Sequence, residues 1–313
     1  MTRFTSIILA GAAALGLSAG TAAADFPDRP ITMIIPLGAG GSHDLNARVI
    51  TSVLPQYLGQ PVVVQLMPGA GGQTGTAAAA AAPADGYTLI FTHNFIDQLQ
   101  QHVARLPYDP NEDFVAVARV NTAQPIMVVR QDSPFETFED LVEYGRENPG
   151  ELRFGHSGNW GAFMVPGLAL LNEVEVDATL IPYQGGGPVI QALLAGDIDF
   201  TFAFPSVLAG QDLRPLMIVG PEQIIEGIPT STDLGFEIVS NIGVMHRSVL
   251  APAGVPEDRL EILREAFAAI NDDSTYQMLM SRLDENTLHM DGPEFQEMRL
   301  QQSAEYEALV NSF

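Results

Sequence analysis

The sequence predicts an α/β protein of two lobes joined by two crossing strands, and three observations carry that expectation. Short apolar, β-branched runs alternate with helical patterns along the chain, which implies helix-covered sheets with largely parallel strands. A strand, glycine loop and helix start recur in two separate sets, and a late strand returns ahead of the C-terminal helices. At 313 residues the chain also exceeds the size at which one core stops growing. The expected division is residues 25–122 with 244–313 as one lobe and 123–243 as the other.

Residues 31–36 read as a buried strand that runs into Leu37-Gly38-Ala39-Gly40-Gly41. The next segment has Leu45, Val49, Val53 and Leu58 at helical spacing. Ser42 is the expected cap there, Asp44 lies in the first turn, and Gly59 with Pro61 stops the helix. The same order repeats with strand 62–66, loop Pro68-Gly69-Ala70-Gly71-Gly72 and an alanine-rich helix to residue 82. Strand 87–91 leads into Thr92-His93-Asn94, and 115–120 and 126–130 are further strands. Thr137-Phe138-Glu139-Asp140 has the form of a capping box, with the helix closing near Asn148-Pro149-Gly150.

The second set opens with strand 152–155, loop His156-Ser157-Gly158-Asn159 and a helix to residue 171. Strand 179–182 precedes Tyr183-Gln184-Gly185-Gly186-Gly187-Pro188 and a helix carrying Val189, Leu193 and Leu194. Strands at 198–202 and 216–219 complete this half; 242–250 reads as the returning strand, and three helices start near Glu257, Asp273 and Pro293. In open α/β sheets loops converge beyond the strand C-termini, so the glycine-rich loops should face one cleft.

The N-terminus has one positive charge, an apolar run over residues 7–23 and Ala22-Ala23-Ala24 ahead of Asp25. That is the pattern of an export signal cleaved after Ala24, too short and weakly apolar for a retained anchor of ~20 strongly apolar residues. Cysteine is absent, so the fold rests on its apolar cores without disulfides. Acidic side chains number 38 against 14 basic ones, all of the latter arginine, for a net charge of -24. Nucleic acid and anionic membrane surfaces are thereby excluded as partners. Any anionic ligand would need positive potential made locally, from backbone N–H groups and helix N-termini.

Gly38-Ala39-Gly40-Gly41-Ser42 resembles a phosphate cradle, but it lacks the Lys-Ser/Thr pair of a nucleotide-binding loop. Glycines ahead of a helix suit a carboxylate equally well, because N–H groups can converge with no side chain in the way. Gly155-His156-Ser157-Gly158-Asn159 nearly spells a nucleophile elbow, with Asn159 in place of the last glycine. No base and acid for Ser157 are evident, which leaves a hydrolase as the minor alternative. The six histidines form no metal-ligand spacing, so neither metal nor cofactor is expected. His43 and His93 fall in cleft loops and are candidate ligand contacts, whereas His102 and His289 read as surface or hydrogen-bonded residues. For Trp160, packing between lobes and stacking on a ligand both remain open.

Several motifs together resemble the Bug-type periplasmic receptors of tripartite tricarboxylate transporters. They include Phe26-Pro27-Asp28-Arg29-Pro30-Ile31, the 36–44 loop, Gly59-Gln60-Pro61, Pro68-Gly69-Ala70-Gly71-Gly72, Asp85-Gly86-Tyr87, Leu106-Pro107-Tyr108-Asp109-Pro110, Pro182-Tyr183 with Gly185, and Leu250-Ala251-Pro252-Ala253-Gly254. The resemblance implies a type II, Venus-flytrap binding-protein fold and a non-enzymatic receptor in the periplasm. It further implies a ligand carboxylate pinched between the first glycine loop and the Ser157 loop, and delivery to a separate permease. On this reading the ligand-binding set is Gly40, Gly41, Ser42, His43, Asp44, Gly71, His93, Asn94, Ser157, Gly158, Asn159, Trp160, Tyr183, Gly185 and Phe204.

This chain departs from the family pattern at His43, at Ala203-Phe204 in place of an Asp-Asn pair, and at His246-Arg247-Ser248. Amino-acid ligands are disfavoured on that basis. The expected ligand is a mono- or dicarboxylate with an apolar or aromatic body, bound by a monomer; His43, His93 or Arg247 would meet a second polar end. Presentation of the loaded receptor to a sensor kinase is the alternative to permease delivery.

Overall fold

The computed structural model describes residues 26–208 and 210–311, so the expected export signal lies outside the described residues. Along them run strands β1 (Ile31–Ile35), β2 (Val62–Leu66), β3 (Thr88–His93), β4 (Phe114–Ala123), β5 (Ile126–Arg130) and β6 (Leu152–His156). They continue with β7 (Ala178–Pro182), β8 (Thr201–Ala203), β9 (Leu213–Ile218), β10 (Met245–Pro252) and β11 (Met290–Asp291).

One sheet has the order β11-β4-β10-β3-β1-β2. The glycine-loop strands β1, β2 and β3 pair in parallel, as their helical crossovers require. β10 is antiparallel to both β3 and β4. The expectation of largely parallel strands therefore fails: β10 returns antiparallel to its neighbours in this sheet, β11 is antiparallel to β4, and β5 is antiparallel to both its neighbours in the second layer. The second layer joins β5, antiparallel to β8 and β9, with the parallel pair β6 and β7 through a bridge between Phe154 and Phe200.

The chain leaves the first sheet at Gln124-Pro125 and re-enters it after Val244. The returning strand starts at Met245 rather than at residue 242. Ile242 and Gly243 end the helix Glu237–Gly243, which packs so closely that a Cβ on Gly243 would lie 2.2 Å from the Val219 side chain. A second unforeseen element follows β3, a π-helical turn at Phe95–Leu99. Its Phe95 and Leu99 pack with Tyr306 into the core of the second layer.

Each layer has its own apolar core, one around Ile31, Phe91, Val249 and Phe267 and another around Met127, Phe154, Leu193 and Phe202. At ~25 cal/mol per Å² buried, such cores hold the fold without disulfides. The capping box forms as the sequence predicts, with Asp140 N–H donating to Thr137 Oγ1 at 3.1 Å and Thr137 N–H donating to Asp140 Oδ2 at 2.9 Å. The expected Ser42 cap does not form. Gly41 is the cap residue of Ser42–Val53, no side chain accepts from its first N–H groups, and Ser42 is buried in the first turn.

Candidate functional site

The C-terminal ends of β1, β2, β6 and β7 open into the glycine loops, and these meet face to face across one crevice. Gly38 N–H donates to Gln184 O at 3.2 Å, tying the loop after β1 to the loop after β7. A Cβ at position 187 would sit 2.4 Å from Ala39 O, so that approach needs glycine. The loops after β2 and β6 touch through Gly71 (φ 65°) and Gly158 (φ 123°), where a Cβ on Gly158 would lie 3.2 Å from Gly71 Cα.

The contacts border a small cavity lined from both walls. Five of the predicted side chains line it: Ser42, His43, His93, Ser157 and Phe204. Gly41 joins them from the start of the Ser42–Val53 helix, and Gly186 opens Gly186–Ala195 on the opposite wall. Neither helix has a side-chain cap. Their first N–H groups and the positive ends of their dipoles are therefore available to an anion.

Both cavity histidines are neutral near physiological pH. Burial, more than the nearby charge of Arg247, pushes His93 down to about 3. His43 is also held well below its ordinary value, by burial first and then by His93 and Arg247. Its Nε2–H donates to Thr92 O at 3.3 Å, and the two imidazoles lie 4.9 Å apart. His93 Nδ1 is buried without a protein partner, so this ring has a polar atom in reserve.

Other predicted residues serve different ends. Asp44 Oδ2 accepts from Gly40 N–H at 3.0 Å and its other oxygen pairs with Arg48 at 3.0 Å, so this carboxylate braces the loop. Asn94 donates to Val244 O and Tyr306 Oη and accepts from His246 N–H, which fixes the start of β10. Gly185 (φ 113°) is the cap of its helix, where a Cβ would press on Gly38 N at 3.2 Å.

Gly71, Gly158, Asn159, Trp160 and Tyr183, together with Gln100, line a second, open depression whose lining does not include Ser42. Trp160 has φ 54°, packs partly buried against the second core, and is absent from the lining beside Ser42. Arg247 is fully buried and absent from the lining: its guanidinium sits 5.0 Å from the Phe204 ring and holds Glu285 at 2.6 and 3.0 Å. His156 Nδ1–H donates to Gly158 O at 3.0 Å, which occupies that ring atom and leaves Ser157 without an adjacent base through it.

Sequence reasoning missed Phe163, Ile190, Val207 and Met245, which supply the apolar part of the wall. Phe163 and Met245 had a usable signal, being large apolar residues near the Ser157 loop and at the mouth of the returning strand. Ile190 and Val207 had none beyond their helices. Among the described residues no group of three His, Asp or Glu side chains is arranged to hold a metal.

Residues 46–313 match the tripartite tricarboxylate transporter family receptor, TctC. The chain belongs to this receptor family. The receptor is 32% identical over 265 residues to BugT of Bordetella pertussis, covering 81% of this chain and 80% of that protein. A solved structure described as a periplasmic transporter matches it with a TM-score of 0.86 and 30% identity, over 91% of this chain and 97% of the other. MatC from Rhodopseudomonas palustris, solved with bound malate, matches with a TM-score of 0.83 and 26% identity, over 91% and 100%. The receptor therefore has the two-lobed α/β fold of periplasmic binding proteins, and its family is one of solute-binding receptors.

Proposed function

We propose that the chain is exported to the periplasm with loss of residues 1–24, binds a small organic carboxylate as a monomer, and delivers it to the membrane subunits of a tripartite transporter. The observation that carries this reading is the pair of uncapped helix N-termini, Ser42–Val53 and Gly186–Ala195, that open on one cavity from opposite walls. In a protein of net charge -24, that local positive potential is what an anion would find. MatC, a relative of the same fold, was solved with malate, an organic carboxylate. No described helix is long and apolar enough to cross a membrane.

In this reading Ser42, Ser157 and the N–H groups at Gly41 and Gly186 hold the carboxylate, and Phe204 with Phe163 packs the body. His93 Nδ1 meets an uncharged polar group. The ligand touches both walls only when they are shut, so binding shifts the open and closed populations. Calorimetric titration with aliphatic and aromatic carboxylates, paired with small-angle scattering, tests it: at least one should bind and shrink the particle, and silence across the panel refutes the function. Ser157→Trp should abolish binding with an unchanged far-UV spectrum, and retained affinity removes the Ser157 loop from the site.

A further inference from the structure

The charges around the cavity narrow the ligand beyond "carboxylate". Among the described residues no arginine, aspartate or glutamate lines the wall, and the chain has no lysine at all. The cation beside it, Arg247, is buried behind the wall and paired. Both its terminal nitrogens donate to Glu285, at 2.6 and 3.0 Å, one also reaches Asn121 Oδ1 at 3.2 Å, and its guanidinium lies 5.0 Å from the ring of Phe204, which lines the cavity. The two histidines contribute no charge, since burial keeps them unprotonated. Asp44, next to the first helix start, is engaged by Gly40 N–H and Arg48.

The positive groups on the wall itself are two helix N-termini, roughly half an elementary charge each. Together they match one carboxylate. The remaining wall is apolar, from Phe163, Ile190, Val207, Phe204 and Met245. A second carboxylate would be stripped of water there and meet neither cation nor helix start, and an unpaired buried charge is strongly disfavoured.

We infer that the receptor selects monocarboxylates: one carboxylate at the facing helix starts, an apolar body on the far wall, and at most an uncharged hydroxyl or carbonyl at His93. Chain-matched dicarboxylates are rejected because Glu285 already occupies the terminal nitrogens of the one guanidinium that could have received them. This rests on the carboxylate-receptor reading above and names the charge class of its ligand.

The test titrates chain-matched pairs calorimetrically at pH 7.5, butanoate against succinate, hexanoate against adipate and benzoate against isophthalate. The monocarboxylate of a binding pair should be tighter by on the order of 30-fold or more. A dicarboxylate as tight as its partner overturns the inference and leaves the carboxylate function standing; failure of every compound overturns both. In Glu285→Gln the Arg247 charge is uncovered, and the preference should shift towards dicarboxylates by at least about tenfold. An unchanged preference in a folded variant overturns the charge argument, and if the variant does not fold, the parent's titrations decide alone.

Discussion

The Ser206 hydroxyl donates to Glu285 Oε1 at 2.5 Å, so the carboxylate that neutralises Arg247 also grips the turn immediately after Phe204. Ser206 follows β8 of the second layer, whereas Glu285 precedes β11 of the first and is shared with Asn46 at 3.4 Å. One buried polar cluster thus spans both layers beside the Phe204 ring. Its members are mutually satisfied apart from Arg247 Nε, which has no partner.

Ser206→Ala should weaken ligand binding about tenfold while the ligand-free melting temperature moves little. A hydrogen bond to a charged group contributes ~1.5–3 kcal/mol, and this one joins elements that approach each other on closure. Calorimetry and thermal melts on the same preparation separate the two effects. A lower melting temperature with unchanged affinity would make the contact one of stability alone.

Gly187→Ala should impair closure without impairing folding. The added methyl would stand 2.4 Å from Ala39 O and 3.0 Å from Gly41 N, atoms of the opposite wall, so only the shut form is strained. Affinity should fall at least tenfold, by the fraction of shut molecules lost. Scattering at saturating ligand should keep the ligand-free radius of gyration longer into the titration. Parental affinity with parental compaction would show that the two loops can slide apart at no cost.

Much of this architecture was legible because it is periodic. Apolar runs and glycine loops fixed β1, β2, β3, β6 and β7, and the convergence of their loops on one crevice followed from the sheet type. What escaped was tertiary in origin. The Phe95–Leu99 turn carries no helical period that a window would detect, since its side chains are buried all round. At the site, Ser42, His43, His93, Ser157 and Phe204 were readable from loop position. Asp44 and Asn94 looked the same in sequence, but their side chains turn to Gly40 and Arg48 in one case and to Val244 and Tyr306 in the other. The pairing of Arg247 with Glu285, 38 residues away, had no local signature at all.

Acidification should destabilise the protein through its buried histidines. Burial pushes His93 to about 3 and His246 to about 4, and lowers His43 as well. Below the unfolded value near 6.5 the unfolded chain binds protons that the folded chain does not. Stability is then lost as pH falls from ~6.5 towards those folded values, by ~1.4 kcal/mol per pH unit for each such group. Urea unfolding at pH 7, 6 and 5 should show this slope, and His93→Gln should flatten it by one group's share. A slope unaltered by that substitution would mean that His93 is free to protonate in the folded state.

Arg299 and Asp97 form a second buried ion pair, with Arg299 Nε and Nη2 donating to the two carboxylate oxygens at 2.7 Å each and Nη2 also reaching Pro110 O at 2.6 Å. Both side chains are at most 3% exposed, and they tie the C-terminal helix Gly292–Val310 to the turn after β3. Removal of one partner strands a buried charge, so Arg299→Met should cost ~3–5 kcal/mol. The pair Asp97→Leu with Arg299→Met should recover most of that loss, because an apolar replacement of both ions is often near neutral. Urea unfolding of the two singles and the double measures the coupling, and strictly additive losses would show that the two ions act independently.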